Sequence, residues 1–194
     1  VAGHSDALDV VTLLGSGTTA VSQVETLLGS TSTDVARLLG GGALAVSRVE
    51  TVLGGTGTVG GPVSGNGSIS PGASAGTLTL QNGLDLSQSG GGTYVWELAA
   101  NSTNNPGTDF DVISLTGGDL VLGGAAKLSI NFTNTATAPD GSNPFWQSAR
   151  QWTIVALSGT GTNSTLAAFS SIINGTNAAG SFTNYADAGG NIVL

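Results

Sequence analysis

The sequence predicts an all-β chain, a parallel β-solenoid with a β-rich C-terminal portion, and three observations carry that expectation. The first is internal repetition. Ala20-Val21-Ser22-Gln23-Val24-Glu25-Thr26-Leu27-Leu28-Gly29 returns as Ala45-Val46-Ser47-Arg48-Val49-Glu50-Thr51-Val52-Leu53-Gly54, with eight of ten positions identical. Asp9-Val10 and Leu13-Leu14-Gly15 recur at the same offset of 25, as Asp34-Val35 and Leu38-Leu39-Gly40. A fixed period of this size marks units that bury an apolar face only against a neighbouring copy. The second is composition. Only 8% of residues are charged and 32 are glycine, so the surface is built from hydroxyls and amides; disorder would need low hydrophobicity with high charge. The third is a series of short apolar or alternating runs bounded by Gly, Asn and Pro, the pattern of strands between tight turns.

Three zones follow along the chain. Residues 1–61 hold the repeats, punctuated by Gly15, Gly29, Gly40 and Gly54, and are expected to form solenoid coils with the period of that repeat. Val21, Val24 and Leu28 also fall at helical spacing, with Thr19 as a cap and Gly29 past the end, so short helices in residues 8–53 are the alternative. The Gly- and Thr-rich flank from Gly54 to Gly61 suits tight corners between strands and favours the β reading.

Residues 62–92 form a bridge punctuated by Gly, Ser and Pro that contains the alternating Thr77-Leu78-Thr79-Leu80. Residues 93–194 hold nearly all the aromatics. Strands are expected at Tyr94–Leu98, Phe110–Leu115, Asp119–Leu122, Lys127–Phe132, Trp152–Leu157 and Ile192–Leu194. The run Leu166–Ile173 is read as a short helix.

Charge and composition exclude whole classes of function. The net charge is −8 and the four basic residues Arg37, Arg48, Lys127 and Arg150 are scattered, whereas nucleic acid needs clustered cations. The chain has no Cys, which removes disulfides and thiol chemistry. No run reaches the roughly 18–20 apolar residues of a membrane span. The start, Val1 to Ser5, lacks the basic and apolar regions of a signal peptide and fits a mature terminus or an internal fragment equally.

No catalytic centre is expected. Asp85 and Glu97 lie on neighbouring strand signals and could pair as glycosidase acids, but acids on the solvent face of half-buried strands read the same way. His4 is the single histidine and sits in an unpatterned tail, where no Ser-His-Asp system can be assembled. No cofactor is expected. Asp109, Asp111 and Asp119, beside the turn Asn104-Asn105-Pro106-Gly107, are weak candidates for calcium through hard oxygen ligands. Trp96, Trp146, Trp152, Phe145 and Tyr185 have two readings, a cap over the last coil or a sugar-stacking surface. Five Asn-x-Ser/Thr triplets, from Asn66, Asn101, Asn131, Asn163 and Asn174, arise by chance in so polar a composition.

The segment Leu53-Gly54-Gly55-Thr56-Gly57-Thr58-Val59-Gly60-Gly61, with Gly67-Ser68-Ile69-Ser70-Pro71-Gly72 through Thr77-Leu78-Thr79-Leu80, resembles the autotransporter-associated β-strand repeat family. Tyr94 to Leu98, Thr108 to Asp111, Gly118 to Leu128 and Asn143-Pro144-Phe145-Trp146 extend the resemblance over residues 53–194. It implies a right-handed coil and an exported protein of the cell surface or extracellular space, mostly without catalysis. Residues 1–52 depart from the family's usual coils through Glu25, Arg37, Arg48 and Glu50.

The function expected is a structural one: a subunit of an extracellular filament or surface layer whose partner is itself, as a homopolymer. Stacked coils leave open strand edges that recruit further strands. The expected assembly interface is Val10, Val11, Leu13 and Leu14 at one end and Ile192, Val193 and Leu194 at the other. The alternative is a monomeric adhesin segment that binds cell-surface glycans.

Overall fold

The computed structural model describes residues 57–194 apart from residue 73, together with the backbone of six short strands before residue 57. Those six are β1 (Val10–Thr12), β2 (Gly17–Val21), β3 (Thr26–Leu28), β4 (Asp34–Leu38), β5 (Ala45–Ser47) and β6 (Thr51–Gly54). Next come β7 (Thr58–Val59), β8 (Val63–Ser64), β9 (Ser68–Pro71), β10 (Thr77–Leu80), β11 (Leu84–Asp85) and β12 (Thr93–Leu98). The longest strands are β13 (Val112–Val121) and β15 (Thr153–Thr162), with β14 (Lys127–Phe132) between them. The last are β16 (Ser171–Ile173), β17 (Thr176–Asn177), β18 (Gly180–Ser181), β19 (Tyr185–Ala186) and β20 (Ile192–Val193). The chain is all-β: among the described residues the only helical element is the 3-10 turn Pro144–Gln147, and no helix is long and apolar enough to cross a membrane.

Strands pair in rows. One row runs β2-β4-β6-β9-β12-β14-β16, and every neighbouring pair in it is parallel. A second runs β7-β10-β13-β15 in parallel and then continues antiparallel through β20 and β19, so that sheet is mixed. A third holds β1-β3-β5; beyond it β8 and β11 pair in parallel and continue into the second half of β13. β13 thus serves two rows, lying against β10 before the kink at Gly117-Gly118 and against β11 after it. β15 follows the same bend, with a register shift between Leu115 and Gly117.

The strand register does not follow the repeat offset of 25. Gly17 lies beside Asp34, Val35 beside Thr51 and Thr51 beside Ser68, so in this row the numbering advances by only 16 or 17 from one strand to the next, and Thr26 lies beside Ala45, 19 further on. The repeat offset of 25 is therefore about one and a half rungs, and it moves a segment from one row to another. Ala20, in β2, pairs with Arg37; its repeat copy Ala45, in β5, pairs with Thr26. The copies therefore lie in different rows and do not pair with each other. Later rungs lengthen: Thr93 pairs with Lys127 and Lys127 with Ser171. The described parts of residues 8–53 are strands, so the helical alternative does not hold for them.

The core follows the pleat. Along β12, Tyr94, Trp96 and Leu98 point inward while Thr93, Val95 and Glu97 are half-buried on the other face; β10 and the start of β14 alternate in the same way. Trp96 is 0% exposed, packed against Phe110 and Trp152. Leu78, Leu80, Leu84, Leu115, Leu120 and Leu128 fill the interior around it, each burial contributing about 1.5–3 kcal/mol.

The segment Leu166–Ile173 is not a helix. Leu166 has φ of +49° and Ser171–Ile173 joins β14 as a parallel strand. The Asn163 side chain accepts from Ala167 N and donates to Ala167 O, which holds the preceding backbone in a loop, as a local side-chain bond competing with helix does.

Gly91 shows how tightly the rungs approach. Its φ is +69°, and a Cβ there would collide with the Ala125 carbonyl. At Gly90, φ is +89° but nothing lies within 4 Å of such a Cβ. Gly91→Ala is expected to cost at least about 2 kcal/mol by chemical denaturation, and Gly90→Ala only the left-handed penalty of about 1 kcal/mol.

Candidate functional site

The aromatics converge at the C-terminal end of the fold. Asn143 caps the turn Pro144–Gln147 by accepting from Phe145 N at 3.0 Å, a residue type and a Pro-led turn suited to each other. That turn presents Phe145 and Trp146, whose rings meet edge to face at 4.8 Å. Trp152 is held by reciprocal backbone bonds with Leu194, both 2.9 Å, and its indole donates to Ser102 O at 2.7 Å. Phe182 packs on Trp146 and Trp152 with ring centroids 6.0 and 6.2 Å away. Tyr185, on β19, receives a bond from the Gln151 amide at 3.3 Å.

Together Trp146, Trp152, Phe182 and Tyr185 line an open groove of about 760 Å³, with Arg150 and Gln151 on its wall. Trp152 forms the floor at 2% exposure, while Tyr185 is 46% exposed. The Arg150 guanidinium is fixed at the edge: its Nε donates to Phe145 O at 2.7 Å, and its central carbon sits 4.5 Å from the Phe145 ring centroid, a cation–π distance. No Asp, Glu, Lys or His side chain lines the groove among the described residues.

Of the aromatics singled out in the sequence, Trp146, Trp152 and Tyr185 meet here. Phe145 supports Trp146 from the side. Trp96 does not belong to the surface; it lies in the core, and its indole donates to Asp111 O at 2.9 Å. Phe182, Arg150 and Gln151 are groove residues that sequence reasoning missed, since nothing in their local pattern distinguishes them.

The acids are dispersed. Asp111 is 0% exposed: Oδ1 accepts from Gly76 N at 2.8 Å and Oδ2 from Glu97 N at 2.9 Å. Burial pushes its carboxyl up to about 8, against those two N–H groups and with the help of the nearby Glu97 charge. Asp119 accepts from Ser164 Oγ and N and from Thr162 Oγ1, bonds that hold it below the ordinary carboxylate range. Asp109 accepts from the Asn105 amide at 3.0 Å. Each of the three weak calcium candidates thus has its own separate partners, and the structure does not bring them together. Among the described residues no group of three or more acidic, histidine or cysteine side chains converges as a metal site.

Asp85 and Glu97 do not form a facing pair either, because β11 and β12 belong to different rows. Partial burial pushes Asp85 up, but bonds from Ser87 and Gln88 outweigh it and hold the carboxyl below its usual range. Burial alone raises Glu97. His4 lies outside the described residues.

The expected assembly ends also divide. Val10 and Val11 lie in β1, which pairs only with β3 among the described residues, and Leu13 and Leu14 fall outside them. Ile192, Val193 and Leu194 are not an open edge: β20 is paired on both sides, by β15 and β19, and all three side chains are buried. An unbroken apolar triplet is the pattern of a strand buried on both faces. Among the described residues the outermost strands at this end are β19 and β16, and on β16 Ile173 is 43% exposed.

Compared with protein-family models, with curated proteins and with solved structures, the chain matches none.

Proposed function

We propose that this chain is a non-enzymatic, exported structural protein, a right-handed parallel β-solenoid that serves as subunit of an extracellular filament or surface layer. The observation that carries the reading is the seven-strand row from β2 to β16, parallel at every step, whose two outer strands each pair on one side among the described residues. A parallel row offers unpaired N–H and C=O groups at both flanks, and a second copy can continue it. Such a contact is heterologous and propagates without closing. The second row cannot grow in parallel beyond β15, since β20 and β19 cover that side antiparallel; growth runs through β2 of one copy and β16 of the next. The hydroxyl- and amide-rich surface with four basic residues in total gives trypsin-like proteases few cutting sites, which suits an extracellular material.

Electron microscopy over a range of concentrations tests the reading. Regular filaments are expected from the wild-type chain and none from Ile173→Lys, which places a charge on an exposed position of β16 and leaves the core intact. Dispersed wild-type particles at every concentration would overturn self-assembly; so would filaments unchanged in the variant.

A further inference from the structure

We propose that the groove between the Pro144–Gln147 turn and β19 is a binding site for a neutral saccharide. The aromatic rings are one half of the case. Tyr185 is 46% exposed, Trp146 is half-buried, and Trp152 lies beneath at 2% exposure with its indole donating to Ser102 O. Pyranose rings carry C–H groups on their faces, and these pack against such rings while the hydroxyls point outward.

The polar wall is the other half. Gln151 is held by Tyr185 Oη, and Arg150 is held by Phe145 O and the Phe145 ring. Arg150 lines the groove, and among the described residues its one hydrogen bond is the Nε bond to Phe145 O, which leaves its other N–H groups as donors. Ser148, Ser181 and Thr183 add hydroxyls along the same walls. Alternating ring faces and fixed donors match a polyol better than a lipid tail, which would leave those donors unpaired at a cost.

Charge selects among saccharides. The chain carries −8 overall, so a polyanion approaching it is repelled over roughly a Debye length of 8–10 Å, and one arginine does not reverse that. A cationic ligand meets Arg150 and no Asp or Glu side chain in the lining. A neutral chain is disfavoured by neither. The volume of about 760 Å³ lies within the roughly 300–1,000 Å³ of sites that hold drug-sized molecules, which suits a short oligosaccharide.

The test is calorimetric titration of the chain with hexasaccharides of glucose in β-1,4 and β-1,3 linkage and of xylose, alongside polygalacturonate, at low and at tenfold higher salt. Binding of at least one neutral hexasaccharide is expected, changing less than twofold between the two salts. Tyr185→Ala and Arg150→Gln are each expected to weaken it at least tenfold, with the thermal midpoint within about 2 °C of wild type. No binding to any neutral hexasaccharide would overturn the proposal, as would neutral binding indifferent to both variants. Salt-sensitive binding of polygalacturonate alone would overturn it too.

Discussion

Replacing Asp111 with alanine is expected to lower stability by about 2–6 kcal/mol at pH 5, the sum for two stranded donors and a large fraction of what holds an ordinary domain together. Asp111 is fully buried and fastens three strands at once. Its carboxyl accepts from Gly76 N, just before β10, and from Glu97 N, within β12. Its own N–H donates to Glu97 O at 2.9 Å and its carbonyl accepts from the Trp96 indole. Alanine keeps the backbone bonds but strips both N–H groups of their acceptor, and each stranded donor costs about 1–3 kcal/mol. Asparagine keeps one acceptor oxygen and turns an NH2 toward the other N–H, so it should recover about half of the loss. Urea denaturation of the three chains at one pH measures the series. An alanine variant as stable as wild type would mean that water or a shifted backbone replaces the carboxyl.

That role could not be read from the sequence, because its partners stand at positions 76 and 97 and no local pattern links them. Asp111 stood out only as an acid near Asp109, which suggested a cation. What was legible followed the period of two. Thr77–Leu80 was expected as a strand and forms β10, Lys127–Phe132 forms β14, and Tyr94–Leu98 differs from β12 by one residue. Gly117-Gly118 was expected to separate two strands; it instead kinks a continuous one, because β15 bends at the same level and keeps the ladder paired. The repeat was real, but its meaning depended on rung length, which only pairing supplies. The groove was half legible: Trp146, Trp152 and Tyr185 were marked by type, whereas Trp96 turned inward with the pleat. The walls, Arg150 and Phe182, come together only through the 3-10 turn and the β17–β18 hairpin.

Stability is expected to fall as pH rises from about 4 to about 9, the reverse of what surface carboxylates would produce. In the unfolded chain Asp111 releases its proton near 3.8; in the fold, burial moves the carboxyl up to about 8. Between those values the folded state holds a proton that the unfolded state has lost, so unfolding becomes easier with each step in pH. The contribution is fully present below 3.8 and gone once the pH passes about 8. That separation, at about 1.4 kcal/mol for each step of one in pH, amounts to a loss on the order of 5 kcal/mol. Glu97, raised by burial, acts in the same direction. Asp85 and Asp119, lowered by their hydrogen bonds, act oppositely but only in acid; their stabilisation is lost as the pH drops through their folded values. The two trends place the stability maximum near pH 4. Thermal midpoints from pH 4 to 9 should decline in the wild-type chain and decline less than half as steeply in Asp111→Asn, which has no proton to release there. A wild-type midpoint equal at pH 5 and pH 9 would mean that the two backbone N–H groups outweigh burial and that Asp111 is ionised within the fold.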